Sequence, residues 1–299
     1  MAGDAARASD NVSISPPVTC EGHEGKPRLD FMGLTETEAI VLRTYNLAEA
    51  DKIVVCLTRK YGVVRVVAKG ARKLKSRFGA GLEPFTLIAL GYFEKEGREL
   101  ASLKQAEIVR SYFKLAHDTE VFGVLSYFSE LVMEFAPPRE PNENLYRMVR
   151  ACLEAIDTAP DSLPLMARYF EVWILRLAGF LPDIRVCAGC GLRLGGAKTV
   201  YFNIDFKPRC ADCSQGQGGA LSGTAYRQLL EIQRLSPQKF AQAARHLDPS
   251  ILNDLAMMLR RLIERVLERA PRVRAAVGRN GTGAEVLKDS VHQGRQGIR

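Results

Sequence analysis

Catalytic signatures are what this 299-residue chain has least of. It contains no GxSxG, Walker A, GxGxxG or HExxH sequence, so the usual local marks of serine hydrolases, P-loop NTPases, dinucleotide enzymes and zinc proteases are missing. Its four histidines, His23, His117, His246 and His292, are dispersed, and each reads as a surface or packing residue. The carboxylates scatter over helical segments without the spacing of a metal cluster. No apolar run approaches the roughly 18–20 residues of a membrane span. The first residues, MAGDAARASDNVS, have neither a basic stretch nor an apolar core, so no signal peptide is expected and the expected location is the cytoplasm, close to the nucleoid. Cysteine is present but odd in number, seven in all with uneven spacing, which argues against a disulfide framework.

What the chain does have is uneven charge. The net charge is +8. Residues 38–110 carry 14 basic and 8 acidic side chains, residues 111–185 carry 7 and 11, and residues 221–299 carry 14 and 7. A cationic unit beside an acidic one points to a polyanion partner at one end of the molecule. The cationic unit is strand-rich. Candidate strands are Glu38–Arg43, Asp51–Leu57, Gly62–Ala68, Thr86–Phe93 and Leu100–Val109, separated by turn residues such as Tyr61-Gly62. Five short strands suit a small barrel, either of the oligonucleotide/oligosaccharide-binding (OB) kind or SH3-like.

Helical spacing takes over near residue 111. Val121, Val124, Leu125, Phe128, Leu131, Val132 and Phe135 fall on one helical face, and Pro137-Pro138 ends that helix. Leu145–Ile156 and Leu165–Phe180 follow; the second is apolar nearly all round, which predicts a central core helix. Ser222, Ser236-Pro237 and Asp248-Pro249 predict three further helix starts, the last running to Arg269. Its arginines read as a surface paired with Glu264 and Glu268 of the same helix. Gln215-Gly-Gln-Gly-Gly reads as a linker.

Two local motifs carry chemistry. Residues 68–81, AKGARKLKSRFGAG, place Lys69, Arg72, Lys73, Lys75 and Arg77 between glycines with no acid. Such a flexible cationic loop between strands can neutralise phosphates without reading bases. Arg43, ahead of a turn, and Arg65, alternating within a strand, extend the basic set; Phe78 and Tyr61 are candidates to stack on bases. The second motif is Cys187-x2-Cys190, nineteen residues, then Cys210-x2-Cys213. Two tight CxxC turns converging on one ion have zinc-ribbon spacing. With four thiolates the coordination is complete, so the metal expected here is a structural Zn2+. Cys56 and Cys152 lie in apolar segments and read as buried hydrophobes. The same features would also fit a zinc-ribbon RNA-binding or transcription-associated factor, or a hydrolase assembled from dispersed acids.

The order of these parts resembles the RecO family of DNA-repair and recombination mediators. The resemblance runs over roughly residues 36–270 and is carried by residues 39–85, by ELVMEF (130–135), by RYFEVWILRLAGFLPDIRVCAGCG (168–191) and by CADC (210–213). It implies an α+β multidomain protein: an N-terminal OB-fold β-barrel over 36–110, then an all-α domain (111–186 and 220–275) with a four-cysteine zinc module inserted at 187–219. Residues 1–35 and 276–299 are expected to be a disordered extension and tail. With no catalytic constellation in the sequence, no enzymatic activity is expected. The resemblance also implies binding of single- and double-stranded DNA, annealing, contact with the C-terminal tail of the single-stranded-DNA-binding protein and with RecR, and help in loading the RecA recombinase. By position it makes Arg43, Arg65, Lys69, Arg72, Lys73, Lys75 and Arg77 DNA contacts, and Cys187, Cys190, Cys210 and Cys213 metal ligands. One departure is Lys207-Pro208-Arg209 before the third cysteine, where family members often have Gly-Gly.

Overall fold

Alternating β-branched residues in the first third of the chain have one face to bury inside a barrel and another to bury under helices. The computed structural model describes residues 33–94 and 99–273. The extension up to residue 32, including Cys20 and His23, and the tail from 274 lie outside the described residues. Five strands, β1 (Leu34–Leu47), β2 (Asp51–Thr58), β3 (Gly62–Ala68), β4 (Thr86–Phe93) and β5 (Ala101–Ser111), close into a barrel in the order β1-β2-β3-β5-β4. This is an OB-like barrel, with a parallel β3–β5 seam of only two residue pairs, Val66–Ala101 and Val67–Ser102.

β1 is longer than its apolar pattern suggests because its two halves serve different neighbours. Leu34–Ile40 pair with β4 and Ala39–Leu47 with β2, and the register shifts between Val41 and Arg43. A bulge of this kind bends the strand so that it can close the barrel. Val41, Val54, Cys56, Val64, Val66, Ile88, Leu90, Tyr92 and Leu103 fill the interior. Burial pushes the Cys56 thiol up to about 12, and Cys152 is likewise fully buried in the helical core.

The opposite face of the same strands carries Ile40, Leu57 and Val63 into one core with the helices. These are α1 (Thr119–Phe135), α2 (Glu143–Thr158), α3 (Leu163–Leu177), α4 (Ala211–Ser214), α5 (Gly223–Arg234), α6 (Pro237–Ala243) and α7 (Pro249–Leu267). Ser222, Ser236 and Asp248 accept backbone N–H groups of Ala225, Lys239 and Ser250, so all three predicted caps form. α3 is the central helix. Phe170 stacks on Phe128 of α1 with centroids 3.8 Å apart, and the buried Arg168–Glu171 pair at 2.7 Å also takes the Tyr127 hydroxyl. Burial raises the Glu171 carboxyl pKa, against the pull of Arg168. α3 stops at Leu177, short of the predicted Phe180, because Gly179 turns to φ 80°. Its N–H then bonds Arg176 O, and Phe180 N–H bonds Leu175 O, a Schellman end.

Residues 187–222 are more regular than their sequence pattern suggests. β6 (Thr199–Phe202), β7 (Pro208–Arg209) and β8 (Gly219–Ser222) form a small sheet in the order β7-β6-β8. Gly219, expected in a linker, pairs with Phe202 instead. α7 stops at Leu267, short of the predicted Arg269, with Glu268 left-handed, and two arginines of this end find partners elsewhere than predicted. Arg265 bonds Ile204 O and lies 3.6 Å from Asp205, while Arg269 reaches Glu130 and Glu134 of α1. Glu264 and Glu268 are not in these pairs.

Candidate nucleic-acid interface and cysteine cluster

The 68–81 loop leaves the barrel where β3 ends, and its root is tied down. Gly70, at φ 71°, donates its N–H to Asp51 Oδ1 at 2.8 Å. Arg72 donates its backbone N–H to Ala50 O at 2.9 Å and its guanidinium to Ala48 O at 3.0 Å. The loop therefore grips the β1–β2 turn. Turns close within it from Lys73 N–H to Gly70 O and from Ser76 N–H to Lys73 O. Phe78, 5% exposed, plugs the barrel beside Leu82. The loop expected to be flexible is thus anchored at both ends, and Phe78 is buried away from any base. Tyr61 is half-buried against the barrel interior.

Lys69, Arg72, Lys73, Lys75 and Arg77 are all exposed. Among the described residues none of the five is ion-paired with a carboxylate, although Arg77 lies over the Phe78 ring at 4.8 Å. Several cations in and just after the barrel are engaged by acids: Arg59 with Glu143 and Glu38, Arg110 and Lys114 with Asp157. Arg43 sits mid-strand instead of before a turn. It pairs with Val55, which pairs with Arg65. Directly opposed residues share a face, so both exposed arginines stand on the outer surface of β1–β3. The structure thus places these two on the strand face and the other five on the loop beside it.

The cysteines meet as the CxxC spacing requires. The four Sγ atoms of Cys187, Cys190, Cys210 and Cys213 lie within 4.8 Å of one another, with Cys187–Cys210 and Cys190–Cys210 both at 3.8 Å. Tetrahedral Zn–S bonds of about 2.3 Å would set sulfurs roughly 3.8 Å apart. Gly189 belongs to the cradle: a Cβ there would stand 3.0 Å from Cys213 Sγ. The Gly189 and Cys210 N–H groups point at Cys187 Sγ, at 3.4 and 3.3 Å. Burial opposes a Cys187 thiolate, but these N–H donors and that of Cys190 outweigh it and bring the thiol down to about 6. Its neighbours, Cys190 first, push Cys213 up to about 12. Four thiols this close can all ionise only around a cation, so the donor set fits a metal ion. Arg209 fills the place where glycines were expected and holds the second turn by donating to Cys213 O at 3.4 Å.

A basic loop on an OB-like barrel, joined to a helical domain with a cysteine cluster, has the charge and architecture that suit a polyanion such as nucleic acid. The family comparisons narrow that reading. Residues 32–112 match "Recombination protein O N terminal" and residues 116–275 match "Recombination protein O C terminal". The chain is similar to the DNA repair protein RecO of Geobacter metallireducens, 35% identical over 240 residues covering 77% of this chain and 96% of the relative. It is also similar to those of Koribacter versatilis, 38% identical over 172 residues (58% and 70%), and Symbiobacterium thermophilum, 38% identical over 198 residues (64% and 75%). The chain belongs to the RecO family of DNA-repair proteins.

Proposed function

We propose that this protein is a non-enzymatic recombination mediator that binds single- and double-stranded DNA through the 68–81 loop and the Arg43–Arg65 face. The observation that carries this reading is the set of five exposed loop cations without carboxylate partners among the described residues, on a backbone braced against Ala48, Ala50 and Asp51. Braced cations meet phosphates with little further ordering cost. In this reading the protein anneals complementary strands and helps load recombinase onto DNA coated by single-strand-binding protein, with that protein's C-terminal tail and RecR as partners. The four cysteines hold one structural Zn2+, which fixes the 187–222 module on the helical domain. Among the described residues no helix is long and apolar enough to cross a membrane.

The double variant Arg72→Glu, Lys73→Glu tests the grip. If each loop cation displaces one counterion, log K against log[salt] slopes by roughly −3.5 on single strands. The double variant is expected to lose at least tenfold in affinity and to flatten that slope, with cooperative unfolding kept and at most a small drop in melting temperature from the lost Arg72–Ala48 hydrogen bond. Wild-type affinity and slope in the variant would sink the assignment.

A further inference from the structure

The outer face of β1–β3 changes character along its length. The Ile40–Leu57–Val63 row is buried under the helices. The next row is Arg43–Val55–Arg65. The row after that is Tyr45–Ile53–Val67, since Tyr45 pairs with Ile53 and Ile53 with Val67. Among the described residues no helix covers this last row: Tyr45 is 44% exposed, and Ile53 and Val67 are half-buried. Outward positions in water are normally polar, yet this row is an aromatic followed by two β-branched side chains. Cations bracket it. The Arg43 guanidinium lies 5.4 Å from the Tyr45 ring centroid, and at the other end the loop root clasps the β1–β2 turn through Gly70 and Arg72.

We propose that Tyr45, backed by Ile53 and Val67, is a stacking platform for the bases of an unpaired DNA strand whose phosphates follow Arg43, Arg65 and the loop. The proposal rests on the DNA-binding reading above and adds a strand preference to it. Phosphate contacts alone do not distinguish one strand from two. A flat ring beside them does, because an unpaired strand can lay a base on it, whereas a duplex keeps its bases stacked inside. Such stacking tolerates any sequence, since every base has a π-face. Arg43 covers one face of the ring in the free protein; when a base takes that place the guanidinium turns to a phosphate of the same strand.

The test compares Tyr45→Ala, Tyr45→Trp and wild type on three fluorescent probes of equal length: a thymidine oligonucleotide, its abasic counterpart and a duplex. Tyr45 is exposed enough for both variants to fold, which thermal unfolding checks. Tyr45→Ala is expected to lose about tenfold on the thymidine strand, with the abasic strand, the duplex and the salt slope unchanged. Tyr45→Trp is expected to keep or raise affinity for the thymidine strand. Equal losses on thymidine and abasic strands, or no loss on either, would overturn the platform while leaving DNA binding intact. If the wild type binds none of the three probes, the DNA-binding reading falls and the platform with it.

Discussion

Gly62 marks how little latitude the joint between barrel and helices has. It sits at φ 65° at the tip of the β2–β3 hairpin, and a Cβ there would stand 2.1 Å from the Glu140 carbonyl oxygen. Next to it, Val63 bridges to Pro138 and accepts the Arg139 N–H at 3.1 Å. The segment after α1 thereby covers a stretch of β3 that β5 does not pair. Gly62→Ala combines a left-handed backbone cost with a clash against backbone, so a loss of about 2–4 kcal/mol is expected in urea unfolding. A loss within error of zero would mean that the hairpin tip does not dock on Glu140. Phe78 teaches the converse lesson at the same scale. Its place in a basic run suggests a base contact, but its side chain is needed to plug the barrel.

At the scale of elements, the four-cysteine module has little of its own to hold it. Its strands have two to four residues, too short to be stable alone. Its support is the cysteine cluster on one side and the helical core on the other, where Leu194, Val200, Phe202 and Leu221 are buried and Arg265 bonds Ile204 O and approaches Asp205. One metal ion per chain is therefore expected by elemental analysis. Removing it by chelation, or mutating Cys190→Ser, is expected to make residues 187–222 sensitive to protease while the barrel persists. Protein free of metal yet fully protected there would rule the metal out as a support. A second element is held comparably. The buried Glu130 carboxylate of α1 accepts the backbone N–H groups of Arg272 and Val273, both at 2.7 Å, which straps the segment after α7 across α1.

At the scale of the whole molecule, two ion clusters fix the barrel against the helices. Glu38 of β1 gathers Arg59, Arg150 and the Tyr146 hydroxyl. Asp157 of α2 pairs with Arg110 and Lys114, each at 2.9 Å. The hydrogen bond from Lys114, and then that from Arg110, hold the Asp157 carboxyl below its usual range. A lowered carboxyl pKa contributes stability above the unfolded value of about 4, and this is lost as pH falls through the folded value. Asp157→Asn is expected to melt below wild type at pH 7, with the gap closing as pH falls below about 4. A gap that is constant with pH would show that the charge contributes nothing.

Much of this was legible in the residues themselves. Strand alternation, proline stops and Ser or Asp caps are local, so the barrel strands and helix starts follow from neighbours in sequence. The CxxC pairs likewise announce their own convergence. Arg43 and Tyr45, two apart in a strand, must share a face, so the row they begin could have been found by counting. What local pattern cannot contain is which groups are left over once the chain has closed on itself. Only the tertiary structure uses Phe78 as a plug, pairs Arg59, Arg265 and Arg269 with distant acids, and turns Gly219 from linker into the first residue of an edge strand. Among the described residues it also leaves five loop cations unpaired and Tyr45 uncovered, because charge pairing and burial depend on neighbours that the chain brings together from far away.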